Sequence, residues 1–129
     1  MDSFEAGLTV RKKVLGAKHV DRSLADVDDF NRELQQLVTG FAWGTIWTRP
    51  GLSMRERSLI NLAMLTALNR PHEFEVHVRG ALNNGLTRNQ IKEVLLQTAV
   101  YCGFPAAIEG FRHARIVFKE VDGTAANDD

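Results

Sequence analysis

Cysteine, excess charge of one sign and long apolar runs are all scarce in this chain, and each shortage excludes a class of protein. One of the 129 residues is cysteine, and 16 Lys and Arg balance 16 Asp and Glu. A lone Cys102 leaves no intramolecular disulfide and no Cys-x-x-Cys redox or zinc motif. A formal net charge of zero lacks the basic excess of a nucleic-acid-binding protein and tolerates self-association.

Uncharged apolar runs stay short throughout the sequence. Nowhere do about 18 such residues follow one another, the length that a membrane-spanning helix needs. The stretch from Met1 to Glu5 has no basic region followed by an apolar one, which an export signal would have. We therefore expect a cytoplasmic protein with neither a membrane nor a nucleic acid among its partners.

Apolar residues recur every three or four positions, which predicts an all-α fold of about six helices. At 44% hydrophobic and 25% charged residues, the composition is that of a globular domain, which we assign to residues 1–123. The small, polar and acidic end of the chain, 124–129, is predicted to be a disordered tail.

In the first half of the chain, the pattern predicts a short helix that ends at Gly16 and a longer one with Ser23 as its N-cap. Two glycines and a proline between Trp43 and Gly51 predict a loop that carries both tryptophans. The apolar stripe of the longer helix consists of Leu24, Val27, Phe30, Leu34, Leu37, Val38 and Phe41.

The second half contains clear signals for helix ends. Ser53 with Glu56, and Thr87 with Gln90, have the spacing of capping boxes. Pro71 and Pro105 each suit a first helical position, and Asn83-Asn84-Gly85 suits a helix end. The helix over residues 59–68 is apolar nearly all round, which predicts burial on every side.

His77 is the first candidate for chemistry, because Glu73 lies four residues earlier on the same helix face. A carboxylate at that spacing favours the imidazolium and orients the ring, which makes His77 a usable general acid near neutral pH. An ordinary helix ion pair or a hydrogen-bonded core histidine has the same spacing, so these interpretations stay open.

Arginines supply candidate anion-binding groups. Arg55, Arg57 and Arg70 frame the apolar helix, and a guanidinium beside a pocket is a bidentate clamp for a substrate carboxylate. The alternative is that these arginines are simply solvated. Glu56 is left out of the catalytic set because its capping-box role explains it.

Aromatic side chains are candidates for the wall of a small pocket. Trp43, Trp47 and Tyr101 would provide apolar area, two indole donors and a phenol, or else pack in the core or against another subunit. Cys102 has no basic neighbour in sequence that would activate it, so it is interpreted as a small buried residue. No metal site is predicted, because metal-ligand spacing is missing from the other histidines, which are His19, His72 and His113.

Short runs between residues 7 and 118 form a pattern that can be compared with known families. The runs are Gly7, Val10-Arg11, Val14-Leu15-Gly16, His19-Val20-Asp21-Arg22, Trp43-Gly44-Thr45-Ile46-Trp47, Arg49-Pro50-Gly51-Leu52, Arg55-Glu56-Arg57-Ser58-Leu59, Glu73 to His77, Ala81-Leu82-Asn83-Asn84-Gly85, Gln97 and Tyr101 to Ala107. They resemble a known family, the gamma-carboxymuconolactone decarboxylases of the alkylhydroperoxidase-like superfamily. The second half indicates only the superfamily, whereas His19 to Arg22 and Trp43 to Leu52 point to the decarboxylase branch.

Peroxidases of that superfamily carry Cys-x-x-Cys-x-x-x-His. With His77 in the place of the histidine, Arg70 and Glu73 stand where the cysteines would be, and Ser58 stands where the peroxidases have a relay glutamate. Thiol peroxidase chemistry needs thiols, whereas a cation and a carboxylate suit an acid-base reaction on an anionic substrate.

The resemblance implies an alkylhydroperoxidase-like helical subunit that assembles into a ring-like homohexamer with sites near the subunit contacts, and it implies no cofactor. The implied substrate is gamma-carboxymuconolactone, a small anionic lactone that loses CO2 to give beta-ketoadipate enol-lactone in protocatechuate catabolism. In this scheme His77 donates the proton, Glu73 orients His77, and Arg57 and Arg70 hold the retained carboxylate.

Two other classes of function stay open. A redox-inactive relative of the peroxidases that acts on another small lactone or quinone would share every helix, and substrate screening would distinguish it. A non-catalytic helical assembly protein is the other alternative, and it would have His77 and Glu73 packed away from any cavity.

Overall fold

The structure, a computed structural model, describes residues 2–128 and, of these, the side chains up to residue 123. Over this range the fold is all-α, which confirms the predicted class, with seven α-helices, one π-helix and no strand. None of the described helices is both long and apolar enough to cross a membrane. The elements are α1 (Ser3–Leu15), α2 (Ala17–Ala25), α3 (Arg32–Leu37), the π-helix Val38–Ile46, α4 (Met54–Ala67), α5 (Pro71–Asn83), α6 (Arg88–Cys102) and α7 (Phe104–Asp128).

The chain divides into two compact units, and the division falls inside α4. Unit 1 is Met1–Arg57 and unit 2 is Ser58–Asp129. That residues 1–123 form a single domain stays a prediction. The predicted tail at 124–129 lies outside the residues whose side chains are described, and its disorder also stays a prediction.

Unit 1 is built on close backbone contact between α1 and the π-helix. A Cβ atom placed on Gly7 would lie 1.8 Å from the carbonyl oxygen of Thr39 and 2.7 Å from the backbone nitrogen of Gly44. One turn after Gly7, the buried Arg11 donates from Nη1 to Oε1 of Gln35 at 3.1 Å and to Oγ1 of Thr39 at 3.0 Å. Burial lowers the pKa of the Arg11 guanidinium below its ordinary value.

The prediction of a helix that begins at Ser23 is wrong. Ser23 lies inside α2, where its Oγ donates to the carbonyl oxygen of His19 at 3.2 Å. A turn then separates α2 from α3, because the Asp28 carboxylate accepts the backbone N–H groups of Phe30 and Asn31 at 2.9 and 3.0 Å. Aspartate competes in this way with the helical hydrogen bonds that the apolar periodicity favours.

The apolar stripe predicted for that helix is correspondingly not a core face. Phe30, at the turn, is 96% exposed, and Leu34, Leu37 and Phe41 are all more than half exposed. This stripe does not end up buried, because the turn after α2 breaks the helix on which its members would have shared one face.

The predicted tryptophan loop is also wrong. Trp43 lies within the π-helix, and Trp47, directly after it, donates its backbone N–H to the carbonyl oxygen of Ala42 at 3.0 Å. Gly44 is not a helix breaker here, since it makes room for α1. A Cβ atom at Gly44 would lie 1.9 Å from the carbonyl oxygen of Ser3.

The predicted helix ends of the second half are confirmed, except that α7 begins at Phe104, one residue before the predicted Pro105. The backbone N–H of Ser53 donates to Oε1 of Glu56 at 2.8 Å, and the N–H of Glu56 donates back to Oγ of Ser53 at 3.1 Å. Thr87 and Gln90 form the same reciprocal pair at the start of α6. Gly103 ends α6 at a φ of 104°, a left-handed conformation that glycine adopts without steric cost.

Unit 2 has an apolar core, but α4 is not buried on every side as predicted. Leu62 is fully buried, whereas Ile60, Met64 and Leu68 are exposed. The core of unit 2 covers only part of the apolar surface of this helix, so the remaining apolar side chains are exposed. The buried members of the core are Leu62, Phe74, Val78, Ala81, Leu86, Ile91, Leu95, Ala114 and Val117.

Candidate functional site

His77 lies half-buried on α5, facing α4. Nδ2 of Asn61, on α4, lies 3.4 Å from Nδ1 of the His77 ring. Glu73 is one turn before His77, at an exposed position in the first turn of α5. The predicted spacing of Glu73 and His77 is therefore present on the helix, and at Nδ1 the structure adds an amide from a second helix.

A second polar contact joins the same two helices. Nδ2 of Asn84, the C-cap residue of α5, donates to Oγ of Ser58 at 2.9 Å. Ser58 is fully buried on α4, one turn before Asn61. The two contacts show that α4 and α5 are antiparallel, since the later residue on α4 meets the earlier residue on α5. Ser58, at the position of the peroxidase relay glutamate, here accepts a hydrogen bond between helices.

Arg70 is the N-cap residue of α5 and stands beside another polar cluster of unit 2. Its Nη1 donates to the carbonyl oxygen of Leu68 at 3.3 Å. Arg70 also lines a small cavity together with Glu109 and His113. Nδ1 of His113 lies 2.6 Å from the carboxylate of Glu75, a pair that joins α5 to α7. The sequence analysis missed this pair because its members are 38 positions apart.

Tyr101 lies on a cavity of about 450 Å³ in unit 2. Leu59 and Ile60 of α4 and Gln97 of α6 are among the other lining residues, and His77 is not among them. Cys102 lines the same cavity and is exposed, so its interpretation as a buried residue is wrong. Proximity to the end of α6 made burial hard to predict from the sequence.

The remaining candidates belong to unit 1. The rings of Trp43 and Trp47 are stacked with their centroids 4.5 Å apart, and the two residues are only 4% and 8% exposed. Arg57 donates from Nη2 to the carbonyl oxygen of Arg49 at 3.1 Å. Its Nε is buried and has no hydrogen-bond partner among the residues described. Whether the tryptophans and Arg57 contact a substrate stays a prediction.

Glu56 serves the helix start, as the sequence analysis expected. Its pKa is lowered chiefly because its carboxylate accepts the backbone N–H of Ser53, with a further contribution from the Ser53 side chain. The exposed carboxylate thus stays ionised and caps α4.

Asn61 and Arg11 are two further polar residues that the sequence analysis did not select. A usable signal existed for Asn61, because an amide in the middle of an apolar helix needs a hydrogen-bond partner. Arg11 gave no comparable signal, since most arginines are exposed. Across residues 2–123, no three His, Cys, Asp or Glu side chains form a group that could hold a metal ion.

Comparison with known proteins agrees with the resemblance seen in the sequence. The sequence profile of the Carboxymuconolactone decarboxylase family matches residues 32–115. The chain is 44% identical to the 4-carboxymuconolactone decarboxylase of Acinetobacter baylyi over 118 residues, which cover 92% of this chain and 88% of that protein.

A second relative is named as the decarboxylase of a different acid. The chain is 45% identical to the nitrosuccinic acid decarboxylase npaB of Metarhizium robertsii over 106 residues, or 82% of this chain and 74% of that protein. Both matches extend over most of the chain at well above 30% identity. The chain therefore belongs to the Carboxymuconolactone decarboxylase family.

Proposed function

We propose that this protein decarboxylates gamma-carboxymuconolactone to beta-ketoadipate enol-lactone, without a cofactor, in the cytoplasmic catabolism of protocatechuate. The observation that carries the proposal is the 44% identity to the Acinetobacter baylyi enzyme over 92% of the chain. A half-buried histidine that α4 and α5 hold between them supports it, because the reaction needs a proton donor in a fixed place.

The chemistry of the substrate explains why no cofactor is expected. Loss of CO2 leaves an electron pair on the ring carbon next to the ring oxygen, and the conjugated lactone carbonyl accepts that pair as a furanolate. The substrate is thus its own electron sink. The protein has to stabilise the developing oxyanion and to deliver a proton to the carbon alpha to the carbonyl, which gives the enol-lactone.

In this proposal His77 delivers the proton and Glu73 favours its charged form. The imidazolium gives its proton to the furanolate, and solvent returns a proton to His77 after each turnover. Glu73 lies one turn away on α5, where its negative charge favours imidazolium over imidazole.

Arg57 and Arg70 are proposed to hold the carboxymethyl group that the substrate keeps. The unpartnered, buried Nε of Arg57 supports this role, since buried donors are normally satisfied and a carboxylate would satisfy this one. The departing carboxylate should be bound less firmly, because stabilising it in the ground state would not accelerate its loss.

We propose that the protein works as a homohexamer. Apolar side chains cluster at the junction of α6 and α7, where Tyr101 is 82% exposed and Val100, Phe104 and Ile108 are each more than half exposed. Apolar surface of this kind marks a protein contact. Light scattering at micromolar concentration tests the proposal, and a stable monomer would contradict it.

Nitrosuccinate is a second candidate substrate, favoured by the identity to the Metarhizium robertsii protein. Nitrosuccinate and gamma-carboxymuconolactone both have a carboxylate on a carbon that also bears a carboxymethyl group and is conjugated, once CO2 has left, to an electron acceptor. The acceptor is a nitro group in one acid and an unsaturated lactone in the other. The same proton donor would serve either carbanion.

The deciding experiment compares the two acids under the same conditions. CO2 release and product formation are followed with gamma-carboxymuconolactone and with nitrosuccinate, with His77→Ala as the control for background decarboxylation. We expect enol-lactone to form from gamma-carboxymuconolactone, and we expect this acid to have a higher kcat/KM than nitrosuccinate. Turnover of nitrosuccinate alone would reassign the substrate, and turnover of neither acid would overturn the decarboxylase proposal.

A further inference from the structure

Arg70 and Glu109 line the same small cavity of unit 2, yet they are not paired. Among the described residues, no carboxylate forms an ion pair with Arg70, and its guanidinium donates to the carbonyl oxygen of Leu68 at 3.3 Å. Glu109 is the one acidic residue in the lining of this cavity. A guanidinium and a carboxylate that share a cavity attract each other. The other contacts of Glu109 explain why the two side chains stay apart.

Arg112 binds the Glu109 carboxylate from outside the cavity. Nη2 of Arg112, one turn after Glu109 on α7, donates to Oε2 of Glu109 at 2.8 Å. Arg112 is not among the residues that line the cavity. This hydrogen bond is the chief reason why the pKa of Glu109 lies below its ordinary value. Glu109 is therefore ionised at neutral pH, and Arg112 engages its charge.

His113 cannot replace Arg112 as the donor to Glu109 while the imidazole is neutral. Nδ1 of His113 lies 2.6 Å from the carboxylate of Glu75, which can only accept, so Nδ1 carries the proton. Nη2 of Arg112, which can only donate, lies 3.1 Å from Nε2 of the ring. Nε2 is thus an acceptor and offers no hydrogen to Glu109, 3.5 Å away. Without Arg112, Arg70 is the cation that remains in the cavity lining for Glu109 to bind.

We propose that Arg112 is a positioning residue that holds Glu109 away from Arg70 and so leaves the Arg70 guanidinium available to the carboxylate that the substrate keeps. The inference rests on the proposed role of Arg70 in substrate binding. Arg70 is exposed, so a substrate carboxylate can reach it. A carboxylate of the protein would compete with that of the substrate for the same guanidinium, and this competition would raise KM.

A purely structural role of Arg112 makes a different prediction. Glu109 and Arg112 are three positions apart on α7, where such ion pairs stabilise a helix slightly. The two side chains are 49% and 59% exposed, so the pair adds little to the free energy of unfolding. If Arg112 did nothing more, its removal would lower the thermal midpoint slightly and would leave KM unchanged.

The test measures KM and the position of Glu109 separately, in full-length protein at about pH 8, where an ordinary histidine is neutral. Arg112→Gln removes the charge, Arg112→Lys keeps it, and the double variant Arg112→Gln/Glu109→Gln also removes the competing carboxylate. Arg115→Gln is the matched control, because it removes an exposed arginine of α7 that does not line the Arg70 cavity. Kinetics use the acid that the wild type turns over, and a crystal structure of Arg112→Gln locates the Glu109 carboxylate.

We expect Arg112→Gln to raise KM about two- to fivefold, because the competing pair is exposed. The value of kcat should stay unchanged, since the retained carboxylate is bound equally in the ground state and the transition state. Arg112→Lys, the double variant and Arg115→Gln should keep the wild-type KM. In the crystal structure of Arg112→Gln, the Glu109 carboxylate should lie within about 4 Å of the Arg70 guanidinium.

A wild-type KM in folded Arg112→Gln would overturn the inference. A raised KM that Glu109→Gln does not restore would also overturn it, because Arg112 would then act on the substrate through its own charge. A Glu109 carboxylate that stays away from Arg70 in the crystal structure would have the same consequence. If Arg112→Gln does not fold, Arg112→Met, which keeps the side-chain length without the charge, takes its place. If the wild type turns over neither acid, the proposed function fails, and the crystal structure still decides whether Arg112 holds Glu109 away from Arg70.

Discussion

Units 1 and 2 use polar side chains in their interiors in different ways. In unit 1, the buried Arg11 donates to Gln35 and Thr39, and neither of these carries a charge. In unit 2, two of the polar contacts involve a titratable group, since Asn61 meets His77 and Glu75 meets His113. Polar groups in unit 1 hold helices together around tight backbone contacts, whereas those in unit 2 include groups that can exchange a proton.

This difference predicts which property of the protein a substitution changes first in each unit. Changes deep in unit 1 should first lower the free energy of unfolding, because its helices touch through backbone atoms that cannot move apart cheaply. Changes around His77 should first lower turnover.

The substitution His77→Ala should have the largest effect. Removal of a positioned general acid is expected to lower kcat by about 10² to 10⁴, while the fold and the oligomer persist. The measurement is kcat beside the thermal midpoint. Near-normal turnover together with a large loss of stability would show that His77 is structural and would break the contrast between the units.

Gly7→Ala tests the tight contact of unit 1. The new Cβ atom would lie 1.8 Å from the carbonyl oxygen of Thr39, so the backbone has to shift, at a cost of about 1 to 3 kcal/mol of unfolding free energy. Gly40→Ala is the matched control, because its nearest neighbour is 3.8 Å away. Denaturant unfolding of both variants checks this, and equal stability of the two would contradict the expectation.

The two halves of the chain also differ in how well the sequence predicted them. Helix ends set by local chemistry, such as Ser53 with Glu56 and Thr87 with Gln90, were predicted correctly. These signals involve residues within one turn of each other, so sequence spacing contains all the information they need.

Predictions failed where distant contacts decide the structure. The π-helix around Trp43 depends on α1 approaching Gly44, more than 35 positions away along the chain, and periodicity does not encode such a contact. The site was partly predictable for a similar reason. His77 and Glu73 share one helix, whereas Asn61 comes from another, and only the packing of α4 on α5 brings it to the ring.

Ser53→Ala tests the cap at the unit 1 end of α4. Loss of the bond from the Glu56 N–H to the Ser53 hydroxyl should lower the free energy of unfolding by about 1 kcal/mol, without a change in kcat. A fall in kcat in the fully folded variant would show that this end of α4 affects the activity of the site. Calorimetry together with the assay makes the measurement.

The same cap predicts a pH dependence of stability. Because the folded pKa of Glu56 lies below its unfolded value near 4.5, its contribution is present above that value and is lost as the pH falls through the folded pKa. Glu56→Gln keeps the capping geometry and should remove this part of the acid dependence. An unchanged slope of stability against pH between about 3 and 5 would contradict it.

Glu73→Gln should have a small effect on turnover. Glu73 is exposed, and the interaction of an exposed charge pair is worth at most about 1 kcal/mol, so kcat should fall by no more than about fivefold. The pH profile is the more sensitive measurement. If imidazolium is the active form, activity falls as the pH rises, and without the carboxylate this fall should move to lower pH.

Glu93→Gln is the matched control, because it removes an exposed carboxylate that has Gln97 instead of a histidine one turn later. A profile that moves equally in both variants would mean that overall charge is responsible, and one that moves in neither would remove Glu73 from the site.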